Sequence, residues 1–185
     1  MVSQIKVNEI IKQSGSSITI GESGDTITLP STATLTNFPD NTPAWHARLS
    51  SDQGVADSTN TVINFNTEVI DTDSAYNTSN GRFTVPSNEA GKYYVYAQLM
   101  RNNFVNSRYL MKINVNGTSL IASEQRNSDT GGTTFQTVNA AGILDLSVGD
   151  YVDVSLFQNS GSSDNGANGG SSSQSLFMGY KLIGL

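Results

Sequence analysis

The chain has 185 residues, a formal net charge of −6, only 14% charged residues and no cysteine. The negative charge argues against a nucleic-acid-binding surface, which requires a field of Lys and Arg side chains. The lack of cysteine excludes disulfides, thiol chemistry and Cys-based metal sites. No apolar run approaches the roughly 20 residues of a transmembrane helix. We therefore expect no nucleic-acid partner and no membrane insertion.

Residues 1–42 form a region distinct from the rest of the chain. The region contains two similar units, SSITIGESG and DTITLPSTA, in which Ile18 and Ile27 occupy equivalent positions. Each unit has the pattern of a short strand closed by Gly or Pro, and isolated strand pairs are only marginally stable in water. The region is therefore either a flexible linker or a short β-rich stalk or anchor. We predict the stalk or anchor, followed by one domain over residues 43–185.

The domain is predicted to consist of short β-strands separated by turns, with no long helix. Low charge together with many Ser, Thr and Gly residues favours an all-β protein. The Asn116-Gly117 dipeptide is a strong hairpin signal, and the Ser/Gly/Asn run at 160–173 predicts an exposed loop. The eight to ten strands indicate a β-sandwich of the jelly-roll type. In chain order they lie in AWHARLS, TVINFNTEVID, GRFTVP, KYYVYAQLMRN, SRYLMKINV, TSLIASEQ, TTFQTVNAAGILDL, DYVDVSLFQN and SLFMGYKLIGL.

Two of these strands, KYYVYAQL and SLFMGYKLIGL, are apolar on both faces. A strand with one solvated face should alternate between apolar and polar residues. The second face of each strand must therefore be covered, either by another layer of the chain or by another copy of it. The C-terminal strand is too apolar to be left loose, so we predict that it is central in its sheet and a neighbour of the strand KYYVYAQL.

Several motifs resemble the C1q signature in residue type and spacing. Phe65, Asp71, Tyr76 and Phe83 match its first part, and the spacing Gly91-x-Tyr93-x-Val95 matches its continuation. The sequences INVNG, AGILDLSVGDYVDV and SLFMGYKL follow in the family's order. Two departures are the longer spacing before Gly91 and the smaller residues of VYA where the family more often has aromatics. The resemblance covers about residues 43–185.

The resemblance implies a C1q/TNF-like jelly roll that assembles as a homotrimer. The candidate interface residues are those on doubly apolar strands: Tyr94, Tyr96, Phe177 and Ile183. The sequence does not decide which face of a strand lies on the trimer axis. The N-terminal region, with its KVNEI start and its ITI and ITLP units, also resembles proteins of marine bacteriophages that carry a C1q-like head.

Loops are the predicted recognition elements, because Asn, Ser and Gly form adaptable hydrogen bonds with glycans or proteins. The three candidate loops span residues 100–108, 123–133 and 160–173. The recognition candidates within them are Arg101, Asn102, Asn103, Arg108, Arg126, Asn165 and Asn168.

The sequence predicts no enzyme and no cofactor. His46 is the only histidine and no nucleophile motif accompanies it, so we expect it to have a structural or interface role. Asp71 and Asp73 are secondary candidates for calcium, because oxygen-rich loops suit that ion. A turn role for Asp71 is the favoured alternative, and we predict no metal site.

The functional prediction is a non-enzymatic virion protein of a bacteriophage: a fibre, appendage or decoration. Its trimeric head would adhere to a host-surface glycan or protein, and residues 1–42 would contact other virion proteins. The N-terminus lacks the apolar centre of a signal peptide, whereas the composition resembles that of extracellular proteins, and release of a particle by lysis reconciles the two. The alternative is a secreted or cell-surface C1q-like recognition protein of a cellular organism.

Overall fold

The computed structural model describes residues 20–28, 32, 41–101, 107–127, 135–161, 164–170 and 174–183. The chain divides into two units, residues 1–38 and residues 39–185. Residues 20–28 contain a turn, in which the Asp25 carboxylate accepts the backbone N–H of Glu22 (2.8 Å), and no strand. The strand predicted in the second N-terminal unit is therefore wrong for its described part, and Ile18 lies outside the described residues. The stalk over residues 1–42 stays a prediction.

The described residues contain thirteen strands and no helix. The strands are β1 (Ala44–Arg48), β2 (Gln53–Val55), β3 (Asn60–Val62), β4 (Thr67–Asp71), β5 (Tyr76–Asn77), β6 (Arg82–Thr84), β7 (Gly91–Arg101), β8 (Ser107–Val115), β9 (Thr118–Asn127), β10 (Gln136–Leu146), β11 (Tyr151–Gln158), β12 (Asp164–Ala167) and β13 (Leu176–Lys181).

Two antiparallel sheets form the sandwich. The first sheet has the order β10-β7-β13-β1-β4, and the second has the order β5-β6-β11-β8-β9 with β3 also paired to β11. The C-terminal strand β13 lies between β7 and β1, which confirms that it is central and a neighbour of β7. Its inward face is buried in the core, whereas its outward residues Leu176, Met178 and Tyr180 are only partly buried, so the apolar outward face still requires a cover. The fold is the predicted all-β jelly roll.

The core lies between the sheets and is built from alternate residues of each strand. The inward row of β7, from Tyr93 to Leu99, is buried, as are Val152, Val154 and Leu156 of β11. Trp45 of β1 stacks on Phe83 of β6 with ring centroids 3.8 Å apart and so joins the two sheets. This period of two is the alternation expected for half-buried strands.

Two turns at one end of the second sheet are tied together by side chains. Asn116 and Gly117 both have positive φ (51° and 79°), as the hairpin type predicted for an Asn-Gly pair requires. The Asp150 carboxylate accepts Asn116 Nδ2 (2.7 Å) and the backbone N–H of Ser147 (2.8 Å). These hydrogen bonds, with that of Asn116 first, lower the pKa of Asp150.

The structure corrects the prediction that residues 160–173 form an exposed loop. Its residues 164–167 form β12, which pairs with β2, and Gly166, Ala167 and Asn168 are buried. The backbone N–H of Asn168 donates to the carbonyl of Met100 (2.7 Å). Small side chains allow a strand to pack closely, so the lack of large apolar residues did not imply exposure.

Candidate assembly face and recognition residues

The side of the first sheet that points away from the core is apolar across its middle. We call this surface the assembly face: the outward residues in the middle part of β10, β7, β13, β1 and β4. Its centre is formed by Tyr94 and Tyr96 of β7, which the strand's alternation directs away from the buried Tyr93 and Val95.

The register of the strands arranges the assembly face in three rows. The first row is Ile143, Tyr94, Tyr180 and Ala44; the second is Ala141, Tyr96, Met178, His46 and Ile70; the third is Asn139, Gln98, Leu176, Arg48 and Thr67. Polar side chains therefore concentrate in the third row. The first two rows form an apolar strip across all five strands, with His46 as its one ionisable group apart from tyrosines.

Contacts within the strip hold its aromatic rings in place. The rings of Tyr94 and Tyr180 lie 5.5 Å apart in a tilted arrangement, which is a favourable geometry for an aromatic pair. The Tyr96 hydroxyl donates to Gln98 Oε1 (2.9 Å), and Gln98 Nε2 donates in turn to the carbonyl of Gln174 (3.1 Å). Burial raises the pKa of Tyr96, with a further contribution from Tyr94. These contacts fix the positions of the tyrosine rings in the strip.

His46 lies inside this strip rather than beside a nucleophile. Its register neighbours are Met178 on one side and Ile70 on the other. Its Nε2 atom is enclosed and has no hydrogen-bond partner among the described residues. Burial, and then the charge of Arg48, lowers the pKa of His46. The imidazole is therefore held in its neutral form at neutral pH.

The assembly face is open to solvent in the isolated chain. Ile143 at one edge is 59% exposed and Ile70 at the other is 49% exposed. A continuous exposed apolar surface on a soluble protein marks an interaction site. A surface built from five adjacent strands suits contact with another protein surface.

The predicted interface residues are divided by the structure. Tyr94 and Tyr96 lie on the assembly face. Phe177 does not, which corrects its assignment: it is fully buried and its ring lies against Trp45 (5.4 Å between centroids). Ile183 is exposed beyond the end of β13. The outward residues that sequence reasoning left out are Leu176, Met178 and Tyr180, although their period of two was visible.

The predicted recognition arginines also lie in different environments, one buried and two at the surface. Arg101 is only 2% exposed and its guanidinium lies over the Tyr109 ring (3.8 Å), so its assignment to an exposed loop is wrong. Arg108 on β8 pairs with Glu124 of β9 (2.7 Å), and Arg126 also pairs with Glu124. Hydrogen bonds from Arg108 and then Arg126 lower the pKa of Glu124. Arg108 and Arg126 thus belong to a surface ion-pair cluster on the second sheet.

The predicted recognition asparagines do not form one surface. Asn168 is buried (5% exposed), because it follows β12 into the sandwich, and its assignment to an exposed loop is wrong. Asn165 lies on β12 opposite Gly54. Asn102 and Asn103 lie outside the described residues, so their predicted role is untested.

Asp71 closes a turn. Its two carboxylate oxygens accept the backbone N–H groups of Ala75 (3.0 Å) and Tyr76 (2.9 Å). Asp73 accepts the hydroxyl of Thr72 (2.5 Å). No group of three or more His, Cys, Asp and Glu side chains suited to a metal occurs within the described part of the chain. The geometry gives Asp71 a turn role.

The family model of the C1q domain matches residues 44–182, which span most of the chain. The chain belongs to the C1q domain family. The globular domain of zebrafish complement 1qA superposes on this C1q domain with a TM-score of 0.55 and 18% identity, covering 78% of this chain and 98% of that one. Eiger TNF from S. frugiperda gives 0.60 and 14% (78% and 94%), and murine APRIL at pH 5.0 gives 0.53 and 15% (75% and 98%). No curated protein sequence matches the chain.

The C1q signature residues have structural roles in this chain. The Tyr76 hydroxyl donates to the carbonyl of Phe65 (3.0 Å), Asp71 caps the turn that leads to Tyr76, and Phe83 stacks on Trp45. Burial raises the pKa of Tyr76, which keeps its hydroxyl a donor. These four signature residues therefore stabilise the sandwich. No helix in the described ranges is long and apolar enough to cross a membrane.

Proposed function

We propose that the chain is a non-enzymatic structural protein of a bacteriophage particle, whose homotrimeric C1q head adheres to the host surface. The observation that carries the proposal is the apolar strip of the assembly face. Its two rows of Tyr, Met, Ile and Ala side chains would be unstable in water unless another protein surface covered them.

Three copies of the chain are the proposed cover. The strip runs across all five strands of the first sheet, so each copy offers one apolar surface to its neighbours around an axis. The C1q membership supports the number three, because the family resemblance implies a compact trimer. A trimer would also present each recognition surface three times, which multiplies weak contacts through avidity.

The proposed position on a phage particle rests on the N-terminal region. Its KVNEI start and ITI and ITLP units resemble those of marine bacteriophage proteins with C1q-like heads. Residues 1–42 would connect the head to other virion proteins. The proposed adhesive role fits a chain with net charge −6, because such a surface does not adsorb to nucleic acid released at lysis.

The proposed lack of enzymatic activity is supported by the placement of the histidine. A Ser-His-Asp arrangement requires a histidine within hydrogen-bond reach of both partners. The His46 Nε2 atom is enclosed by the assembly face and bonds to no described residue. In a trimer, this face would be closed to substrate.

Two measurements test the proposal. Light scattering of the purified chain should give three times its mass of 19.7 kDa at micromolar concentration; a monomer would refute the trimer. Mass spectrometry of purified particles of the encoding phage should detect the chain. If it were found only in the medium or at the surface of a cellular organism, the virion role would be wrong and the secreted recognition protein would replace it.

A further inference from the structure

A polar cleft lies on the opposite side of the molecule, on the outward face of the second sheet. We call it the sheet cleft; its volume is about 240 Å³. The register aligns two rows of side chains there. One row holds Asp153, Asn114 and Ser119, and the other holds Val62, Ser155 and Lys112. Its lining residues are Asn60, Val62, Arg82, Lys112, Asn114, Gly117, Ser119, Asp153 and Ser155.

The floor of the sheet cleft is a buried polar network. The Asp153 side chain is 3% exposed although it points away from the core. Its carboxylate accepts Arg82 Nε (3.1 Å) and Asn114 Nδ2 (2.8 Å). Asn114 Nδ2 also donates to Ser155 Oγ (3.0 Å). Such a network fixes the orientation of every side chain in it, so the floor is preorganised.

The rim of the cleft offers donors that the chain itself does not use. Arg82 is held by Asp153 through Nε and by the Tyr151 ring, which lies 4.0 Å from the guanidinium carbon. Its Nη groups have no partner among the described residues. Lys112 Nζ donates to the neutral Asn60 amide (2.9 Å), and no described carboxylate lies within ion-pair distance of it.

The charges and groups of the cleft define a ligand class. Arg82 and Lys112 outweigh Asp153, so the cleft is positive in a chain of net charge −6. A guanidinium with free terminal nitrogens binds carboxylates well. Ser155 and the Asn60 and Asn114 amides can exchange hydrogen bonds with hydroxyl groups, and Val62 offers an apolar contact for a sugar ring. The volume is below the roughly 300 Å³ of clefts for drug-sized ligands.

We propose that the sheet cleft binds one carboxylated sugar residue, such as a uronic acid unit of a surface polysaccharide. The sugar carboxylate lies between Arg82 and Lys112, and its hydroxyls contact Ser155, Asn114 and Asn60. This assignment deepens the proposed adhesive function and rests on it for the source of the sugar. Each protomer carries its own cleft, which lies on the second sheet, whereas the assembly face lies on the first. Assembly and sugar binding are therefore separable properties.

Saturation-transfer NMR with glucuronate as the probe tests the proposal on the full chain. Glucuronate has about 13 non-hydrogen atoms, and the affinity per atom typical of drug-sized ligands gives it a Kd of about 1 mM. Lys112→Gln should raise this Kd about tenfold, because it removes a charge-assisted hydrogen bond. The matched control is Lys92→Gln, an exposed lysine on β7 of the first sheet, which should leave the Kd unchanged.

A second variant tests the cleft independently, in case Lys112→Gln fails to fold. Val62→Glu adds a negative charge at an exposed position of the cleft (Val62 is 39% exposed) and should also weaken glucuronate binding. Val148→Glu makes the same change in an exposed turn and should not. Thermal melting and light scattering of each variant verify the fold and the trimer.

Probes of related chemistry distinguish the sugar from its parts. Glucose, which lacks the carboxylate, should bind at least tenfold more weakly than glucuronate, and acetate should not compete at equal concentration. The proposal is overturned if glucuronate gives no transfer at 20 mM (about twentyfold the expected Kd), if Lys112→Gln and Lys92→Gln behave alike, or if glucose or acetate matches glucuronate. A trimer that fails these tests refutes the cleft alone, whereas a monomer, or absence of the chain from virions, refutes the proposed function.

Discussion

The outward faces of the two sheets differ in almost every respect. On β13, the middle strand of the first sheet, the outward residues are Leu176, Met178 and Tyr180. On β11 of the second sheet, the outward residues Asp153 and Ser155 belong to a hydrogen-bonded polar network. The first face carries an apolar strip beside a row of polar side chains, and the second contains ion pairs and a recess.

The difference shows that the inward rows make the fold and the outward rows decide what each sheet contacts. Both middle strands contribute equivalent inward residues, such as Phe177 on β13 and Leu156 on β11, and both residues are fully buried. The core therefore places no constraint on the outward rows. An apolar outward row requires a protein partner, whereas a polar one is stable in water and can bind a hydrophilic ligand.

The largest expected effect concerns the hydrophobic core that the two sheets share. Phe177→Ala should lower the free energy of unfolding by about 3–5 kcal/mol, because it removes a buried ring and leaves a cavity. Met178→Ala, one residue away on the outward face, should affect the isolated fold far less and weaken assembly instead. Denaturant titration of the two variants at one fixed protein concentration compares their free energies of unfolding. Equal destabilisation by the two variants would contradict the assignment of inward and outward rows.

The next effect tests whether the first face needs a protein partner. Tyr96→Asp should dissociate the trimer at micromolar concentration, because an unpaired buried charge costs about 3 kcal/mol or more at an interface, equivalent to over a hundredfold in affinity. Leu120→Asp makes a comparable change at an exposed position of β9 on the second sheet and should leave the mass unchanged. Light scattering distinguishes them. A trimeric Tyr96→Asp variant would place the interface elsewhere.

A smaller effect follows from the one histidine in the apolar strip. Burial and Arg48 lower the pKa of His46 below its usual 6.5, so the unfolded chain binds the proton more tightly. Stability is therefore complete above about pH 6.5–7 and falls as the pH drops below that value. The melting temperature should decrease between about pH 7.5 and 5.5. His46→Gln should flatten this pH dependence, and an unchanged slope in that variant would exclude His46 as its cause.

Much of the fold was predictable because local patterns carried it. The period of two along each strand separated the two rows of β7 and of β11, and Asn116-Gly117 identified the β8–β9 turn. The apolar character of both faces of the C-terminal strand predicted its central place. The same alternation put Arg101 in register with the buried row from Tyr93 to Leu99, so its burial could have been read from the sequence. The charge of Arg101 led instead to its prediction as a recognition residue in a loop.

The orientation of β13 could not be predicted, because both of its faces carry large apolar residues. Gly179 holds the physical reason: a Cβ atom there would lie 2.3 Å from the Trp45 ring, so the Phe177 and Gly179 face must point inward. That requirement depends on a tryptophan far away in the sequence. The sheet cleft was also beyond prediction, since its residues come from five separate strands and meet only through the register of the second sheet.

The smallest expected effect lies at the polar end of the second sheet, where exposed hydrogen bonds replace apolar burial. Asp150→Ala should lower the free energy of unfolding by about 1 kcal/mol at neutral pH, because it removes the bonds from Asn116 and Ser147 in a solvent-exposed setting. Because folding lowers the pKa of Asp150, its contribution to the free energy of unfolding is complete above about pH 4 and is lost as the pH falls through the lowered value.

The control is Asp145→Ala, which removes an exposed carboxylate on β10 that has no hydrogen bond to another described side chain, and it should have almost no effect. Denaturant titrations at pH 7 and pH 3 should therefore show a difference between the variants that shrinks in acid. A constant difference would mean that the turn tolerates the loss of the charge and that packing, rather than the carboxylate, fixes this end of the sheet.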